Sequence, residues 1–182
     1  MKFLMIARLL YDKGYEEYVK AAKSIKQHYP DTEFLLLGDI DKAYLYHVPK
    51  EVVDRDVESG AIKYLGYIPD VYPIIKDVDC IVHPTFYNEG LSRVLMEALA
   101  MSKPIVTTDI PGCRETVDHG VNGYLCKPKD VDSLVECIEK FCLLSDEDRL
   151  KMGSMGRKKA EKEFDIDNVV QVYENIVAKY LE

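Results

Sequence analysis

The segment Asn88-Glu89-Gly90-Leu91-Ser92-Arg93-Val94-Leu95-Met96-Glu97-Ala98-Leu99-Ala100-Met101 concentrates the residues most able to do chemistry. From Val94 to Met101 every residue except Glu97 is apolar. That pattern predicts a helix over 91–101, buried nearly all round. An ionised carboxylate in such surroundings is costly unless it is paired or faces a polar cleft. Glu97 is therefore either half of a structural ion pair or an acid turned toward a ligand. Glu89 and Gly90 precede the helix, on a loop leaving the strand predicted at Cys80–His83. A helix N-terminus presents unpaired amides and the positive end of the dipole, which suits a phosphate. Gly90 has no side chain to obstruct a close approach. Two carboxylates would repel a bare phosphate, whereas a ligand joining phosphate to vicinal hydroxyls, such as a nucleotide sugar, suits both. Carboxylates accept well from paired hydroxyls. Arg93 adds a basic group there, or is only a helix-surface charge.

A second group of charges follows the first predicted strand. Ala7-Arg8-Leu9-Leu10-Tyr11-Asp12-Lys13-Gly14 is neither the glycine-rich dinucleotide fingerprint nor a P-loop. Ligands of open α/β sheets bind outside the carboxyl ends of the strands, near the point where strand order reverses. Arg8 and Lys13 would lie there, unless both are solvated surface charges. The four histidines, His28, His47, His83 and His119, have no spacing of a metal site or of a base with its nucleophile. His83 is either a cleft residue or a satisfied strand-end histidine.

These groups need a scaffold, and the chain supplies one by alternating short apolar runs with helical stretches, the pattern of a parallel sheet covered by helices. The strands are predicted at Lys2–Ala7, Glu33–Leu37, Ile62–Leu65, Cys80–His83, Pro104–Thr107 and Tyr124–Cys126. Tyr15, Tyr18, Val19, Ala22 and Ile25 recur at helical spacing. Later helices are predicted over 131–144, 147–164 and 168–181. Val121-Asn122-Gly123 reads as a tight turn. The expectation is a Rossmann-like three-layer α/β domain with a mostly parallel six-stranded sheet, spanning residues 1–182.

Composition narrows the functions. At 182 residues, 47% hydrophobic and 31% charged, the chain is long enough for one well-filled core. The net charge of −8 opposes general nucleic-acid binding, which needs a broad basic surface. No apolar run approaches the roughly 20 residues of a membrane helix. The apolar start is broken by Arg8 and lacks a cleavage site, so it reads as a buried strand rather than a signal peptide. Five cysteines without metal-ligand spacing read as reduced core thiols of a cytoplasmic protein.

Glu89 and Glu97, with seven residues between them, resemble the paired glutamates of retaining glycosyltransferases of the GT-B fold, group one (family four). Gly90-Leu91-Ser92 departs from that family's usual Gly-Phe-Gly. Arg8 with Lys13-Gly14, Tyr64-Leu65-Gly66-Tyr67-Ile68, Pro104 through Pro111-Gly112-Cys113-Arg114-Glu115, and the hairpin-like Gly120-Val121-Asn122-Gly123-Tyr124-Leu125 resemble further family motifs in the same order. The resemblance implies that Arg8 and Lys13 neutralise the donor diphosphate and that the amides of Leu91, Ser92 and Arg93 bind phosphate or sugar oxygen. It implies that Glu97 holds the ribose, Glu89 the sugar hydroxyls, Val94 the nucleoside, and that Tyr67 and Ile68 lie by the base. It further implies a uridine or guanosine diphosphate sugar as substrate, no metal or other cofactor, and a partner N-terminal acceptor domain absent from this chain. The helix over 168–182 would cross to that domain, or pack on its own sheet. Any peripheral membrane association is expected of the full-length enzyme only. The rivals are a metal-dependent GT-A enzyme using Asp39-Ile40-Asp41, a sugar-nucleotide epimerase of the same fold, and a non-catalytic nucleotide-binding module. Asp-x-Asp pairs also begin at Asp54, Asp77, Asp130, Asp146 and Asp165, so the pair alone has little specificity.

Overall fold

All six predicted strands are present, their ends displaced by a residue or so. The computed structural model describes residues 1–88 and 90–181; Glu89 and Glu182 lie outside the described residues, as do the side chains of Val169 and Leu181. Strands β1 (Lys2–Ile6), β2 (Glu33–Leu37), β3 (Lys63–Tyr64), β4 (Cys80–His83), β5 (Ile105–Thr108) and β6 (Gly123–Cys126) form one sheet in the order β3-β2-β1-β4-β5-β6. Every pairing is parallel, with Phe3 opposite Phe34, Leu4 opposite Ile81, and Ile81 opposite Ile105. Strand order reverses between β1 and β4, which places the crevice of such a sheet at their carboxyl ends.

Strands covered on both faces read as continuous apolar runs because alternate residues enter different cores. Phe3 and Met5 of β1 join Phe34 and Leu36 of β2 on one face. Helices α1 (Tyr15–His28), α2 (Lys50–Glu58) and α5 (Val131–Cys142) cover that face with Tyr15, Tyr18, Val53, Leu134, Ile138 and Phe141. Leu4, Ile6, Leu35 and Leu37 point the other way. There α3 (Tyr72–Lys76), α4 (Arg93–Ala100) and α6 (Asp146–Glu163) contribute Ile75, Leu95, Ala98, Leu99 and Ala160. The Tyr18 hydroxyl lies within hydrogen-bonding distance of the Leu35 carbonyl at 2.8 Å and the Phe3 carbonyl at 3.2 Å. Its polar tip is thus satisfied while its ring, 5.6 Å from that of Phe34, fills the core.

Helices α2 and α3 were not legible in the sequence pattern. Only Val53 and Asp56 of α2 are buried. Asp56 is held there by the Tyr15 hydroxyl at 3.1 Å and Lys23 Nζ at 3.0 Å. A buried carboxylate tolerated through its partners leaves no apolar stripe to read. Helix α3 has five residues, too few for periodicity.

Three expectations are corrected. Helix α4 is not buried all round: Leu95, Ala98 and Leu99 are buried, Val94, Met96 and Glu97 are partly so, and Arg93 and Ala100 are exposed. Ala100 counts as apolar in the pattern yet is exposed, and Val94 and Met96 are only partly covered, so the run looks more enclosed than it is. Residues 120–123 turn as expected but make no hairpin, because β6 runs parallel to β5. The turn closes through the Gly120 amide on the Gly123 carbonyl and the Val121 amide on the Asp118 carbonyl. Helix α7 (Ile166–Leu181) begins two residues early and does not settle on its own sheet: Val172, Tyr173, Ile176 and Val177 are 57%, 65%, 46% and 53% exposed.

All five cysteines are buried and unbridged. Burial pushes the Cys137 and Cys142 thiols up to about 11, which suppresses the reactive thiolate. No helix among the described residues is long and apolar enough to cross a membrane.

Candidate functional site

Three strand ends converge at the reversal of strand order. Beyond β1 the chain continues as Ala7 and Arg8, beyond β2 as Gly38 and Asp39, while His83 closes β4. The Ala7 amide donates to the Leu37 carbonyl at 3.0 Å, the Leu9 amide to the Asp39 carbonyl at 2.9 Å, and the Gly38 amide to the Gly66 carbonyl at 2.9 Å. Gly38 has φ 151°, and a Cβ built there would lie 1.7 Å from the Ala7 carbonyl oxygen. Only glycine lets the two strand ends approach this closely.

A cleft of about 570 Å³ opens over these ends. Its apolar lining includes Ile6, Leu37, Ile68, Pro69, Val71 and Val94, with Tyr67 at the edge. Among the described residues, its charged lining comprises Arg8, Lys13 and Arg93 against Asp39 and Glu97. Leu91 and Ser92 complete the wall beside the N-terminus of α4, and His83 contributes while almost wholly buried. Arg8, Lys13, Tyr67, Ile68, Leu91, Ser92, Arg93, Val94 and Glu97, picked out in sequences far apart, therefore share one cleft. Glu89 lies outside the described residues. Gly90 is exposed beside Leu91 and does not line the cleft; a Cβ added to it would meet nothing within 4 Å.

The cations are placed by local structure. Lys13 ends a 3-10 turn, Tyr11–Lys13, and is buried with Nζ 4.3 Å from the Tyr87 ring centre. The Asp12 carbonyl accepts from the Phe86 and Tyr87 amides at 2.9 and 3.0 Å, fastening this turn to the loop after β4. The pairing of lysine with glycine has a steric cause as well. Gly14 (φ 83°) starts α1 so close to Pro84 that a Cβ would sit 2.2 Å from its carbonyl oxygen. Arg8 is about half exposed and has Nη1 3.2 Å from Asp41 Oδ2.

Glu97 lies one turn into α4, half-buried, facing the cleft. Its carboxylate takes part in no ion pair or hydrogen bond among the described residues. Among the described residues Glu97 is thus not half of an ion pair, and both oxygens can accept from a ligand. Arg93 is exposed, and it too is unpaired among the described residues.

The structure corrects the role expected of the Ser92 amide. That amide donates to the Gly112 carbonyl at 3.0 Å. Gly112 (φ 88°) is presented by a turn in which Glu115 Oε2 accepts the Gly112 amide at 2.8 Å. The Gly-x-x-Glu turn therefore consumes one of three amides expected to face a phosphate and fixes the start of α4. The amides of Leu91 and Arg93 remain as candidates. Asp39-Ile40-Asp41 is also not arranged as a metal pair: Asp39 Oδ1 accepts the Ile40 amide at 2.8 Å, and Asp41 turns to Arg8. Sequence reasoning missed the steric role of Gly38 and the Arg8–Asp41 contact, and considered Asp39 only as half of a rival metal pair. The run Leu35-Leu36-Leu37-Gly38-Asp39, a strand ending in glycine, was the available signal.

The profile of the family described as "Glycosyl transferases group 1" matches residues 1–159. The N,N'-diacetylbacillosaminyl-diphospho-undecaprenol alpha-1,3-N-acetylgalactosaminyltransferase of Campylobacter jejuni is 31% identical over 98% of this chain and 43% of its own length. Anabaena Alr3699/HepE, solved in complex with UDP and glucose, superposes with a TM-score of 0.82 at 26% identity, over 97% of this chain and 48% of that one. The C-terminal domain of a glycosyl transferase group 1 family protein (LpcC) from Francisella tularensis has the same fold, with a TM-score of 0.77 at 23% identity over 91% of this chain and 87% of that one. The chain spans about half the length of the curated relatives it matches.

Proposed function

The chain belongs to the group 1 glycosyltransferases, and from that premise we propose that it is the donor-binding domain of a retaining GT-B enzyme using a UDP-sugar, with a GDP-sugar as the second choice. Its six-stranded parallel α/β fold matches that of GT-B glycosyltransferases. The observation that carries the proposal is the single cleft joining Arg8, Lys13 and the start of α4 to the uncommitted carboxylate of Glu97. Arg8, Lys13 and the amides of Leu91 and Arg93 face the diphosphate and stabilise the charge that develops as it leaves. Glu97 accepts from the ribose hydroxyls. The nucleoside rests on Ile68, Pro69 and Val94, beside Tyr67. Glu89 holds sugar hydroxyls near the reacting carbon. Support for uridine comes from Anabaena Alr3699/HepE, solved with UDP and glucose.

The acceptor is a growing polysaccharide or a lipid-linked sugar, the latter being the kind of substrate named for the Campylobacter relative. It is bound by a second, N-terminal domain, onto which the exposed apolar side chains of α7 pack. No metal or other cofactor takes part, and the enzyme works in the cytoplasm; any peripheral membrane contact belongs to the full-length protein. Catalysis needs donor and acceptor held in register, so the 182-residue chain binds the donor without transferring it. A thermal-shift panel of UDP, GDP, UDP-glucose, FMN and NAD tests this reading, with sugar transfer measured in parallel. UDP and UDP-glucose are expected to raise the melting temperature, with no turnover. Stabilisation by FMN alone, or transfer by the isolated chain, would overturn it.

A further inference from the structure

Arg8 is gripped by one loop. Residues 38–49, between β2 and α2, lie along the segment that follows β1: the Leu9 amide donates to the Asp39 carbonyl at 2.9 Å, the Val48 amide to the Leu9 carbonyl at 2.9 Å, and the Tyr11 amide to the Tyr46 carbonyl at 3.0 Å. Among the described residues, both contacts of the guanidinium come from this loop. Asp41 Oδ2 is 3.2 Å from Nη1, and the Tyr44 ring centre is 5.5 Å from Cζ. The two are oriented together, since Asp41 Oδ1 accepts the Ala43 amide at 3.2 Å and the Asp41 carbonyl accepts the Tyr44 amide at 3.0 Å.

We propose that Asp41 is the resting counter-ion of Arg8, positioning the guanidinium at the cleft and competing with the diphosphate for it. The inference rests on the reading of Arg8 as a diphosphate ligand. The contact is built for exchange. At 3.2 Å it is longer than a tight charge-assisted hydrogen bond of about 2.7–2.9 Å. The two side chains are 48% and 34% exposed, so water weakens their attraction. One contact leaves most of the five guanidinium N–H donors for a second anion. A diphosphate, with more charge and more acceptor oxygens than one carboxylate, displaces Asp41. When the nucleotide leaves, Asp41 takes Arg8 back, which favours release of the product. Asp41 thus sets nucleotide affinity through Arg8, without touching the nucleotide.

The test is calorimetry of UDP and of uridine with the parent chain and Asp41→Asn, an isosteric change that removes the charge. The same substitution is made in an Arg8→Gln background, where NMR titration into millimolar nucleotide measures the weaker binding. Asp41→Asn is expected to tighten UDP by about two- to fivefold, the scale of an exposed ion pair. Uridine should be unaffected, and the gain should vanish in the Arg8→Gln background. Four results would each overturn the proposal. UDP affinity could be unchanged or weaker in Asp41→Asn, or uridine could gain as much as UDP. The gain could persist undiminished without Arg8, in which case the carboxylate acts on the ligand directly. A parent chain that does not bind UDP would remove the underlying site reading as well, so the two failures are distinguishable.

Discussion

Glu97→Gln is expected to weaken UDP and UDP-sugar binding together, by roughly 10- to 150-fold. A hydrogen bond to a charged group contributes about 1.5–3 kcal/mol, and Glu97 faces the cleft with its carboxylate uncommitted. Glutamine keeps the length and volume of the side chain, so packing beside Val94 and Met96 should survive. Because Glu97 forms no ion pair among the described residues, the melting temperature should stay near that of the parent. This separates a ligand-facing acid from a structural one. A folded Glu97→Gln chain with unaltered UDP affinity would assign the glutamate no part in recognition. Glu89→Gln, on its proposed role, should weaken the sugar conjugate while leaving UDP alone. Equal effects of both substitutions on both ligands would show that the roles have been assigned wrongly.

Gly38→Ala should be strongly destabilising for a change of one methyl group. Its Cβ would lie 1.7 Å from the Ala7 carbonyl oxygen and 3.2 Å from Leu9 Cδ1, on a backbone at φ 151° that L side chains rarely adopt. Neither obstacle gives way easily, because the Ala7 amide is held by its hydrogen bond to the Leu37 carbonyl and Leu9 is 1% exposed. Overpacking and backbone strain each cost about 1–3 kcal/mol. A loss of about 3 kcal/mol would lower the melting temperature by roughly 6–12 °C in a domain of this size. The displaced segment carries Arg8, so UDP affinity should fall along with stability. A Gly38→Ala chain melting at the parent temperature with parent affinity would show that the strand ends are not as tightly apposed as described.

The sheet was legible because burial on both faces makes each strand a short, nearly unbroken apolar run, and six such runs with helical stretches between them leave few arrangements. The site was legible where residue type and position on an element coincide. A carboxylate within an apolar helical run and two cations after a first strand have few uses. What escaped depends on tertiary partners. The Ser92 amide belongs to Gly112, which Glu115 presents from a different segment. Asp41 reads as half of one Asp-x-Asp pair among several until Arg8 is found 3.2 Å away. Helix α2 is anchored partly by a buried aspartate whose partners, Tyr15 and Lys23, lie on α1. The extent of exposure also escaped, since the apolar pattern of α7 does not tell whether a surface is available to cover it.

On the proposed function, this cleft binds a nucleoside diphosphate with the chain's own cations. Calorimetric titration of UDP into the 182-residue chain, with and without EDTA, tests it most directly. A single site is expected, with the same affinity in both buffers, because Arg8, Lys13 and the amides at the start of α4 supply the positive charge. Absence of binding would contradict it, and so would binding that appears only with a divalent cation, which would return attention to Asp39 and Asp41.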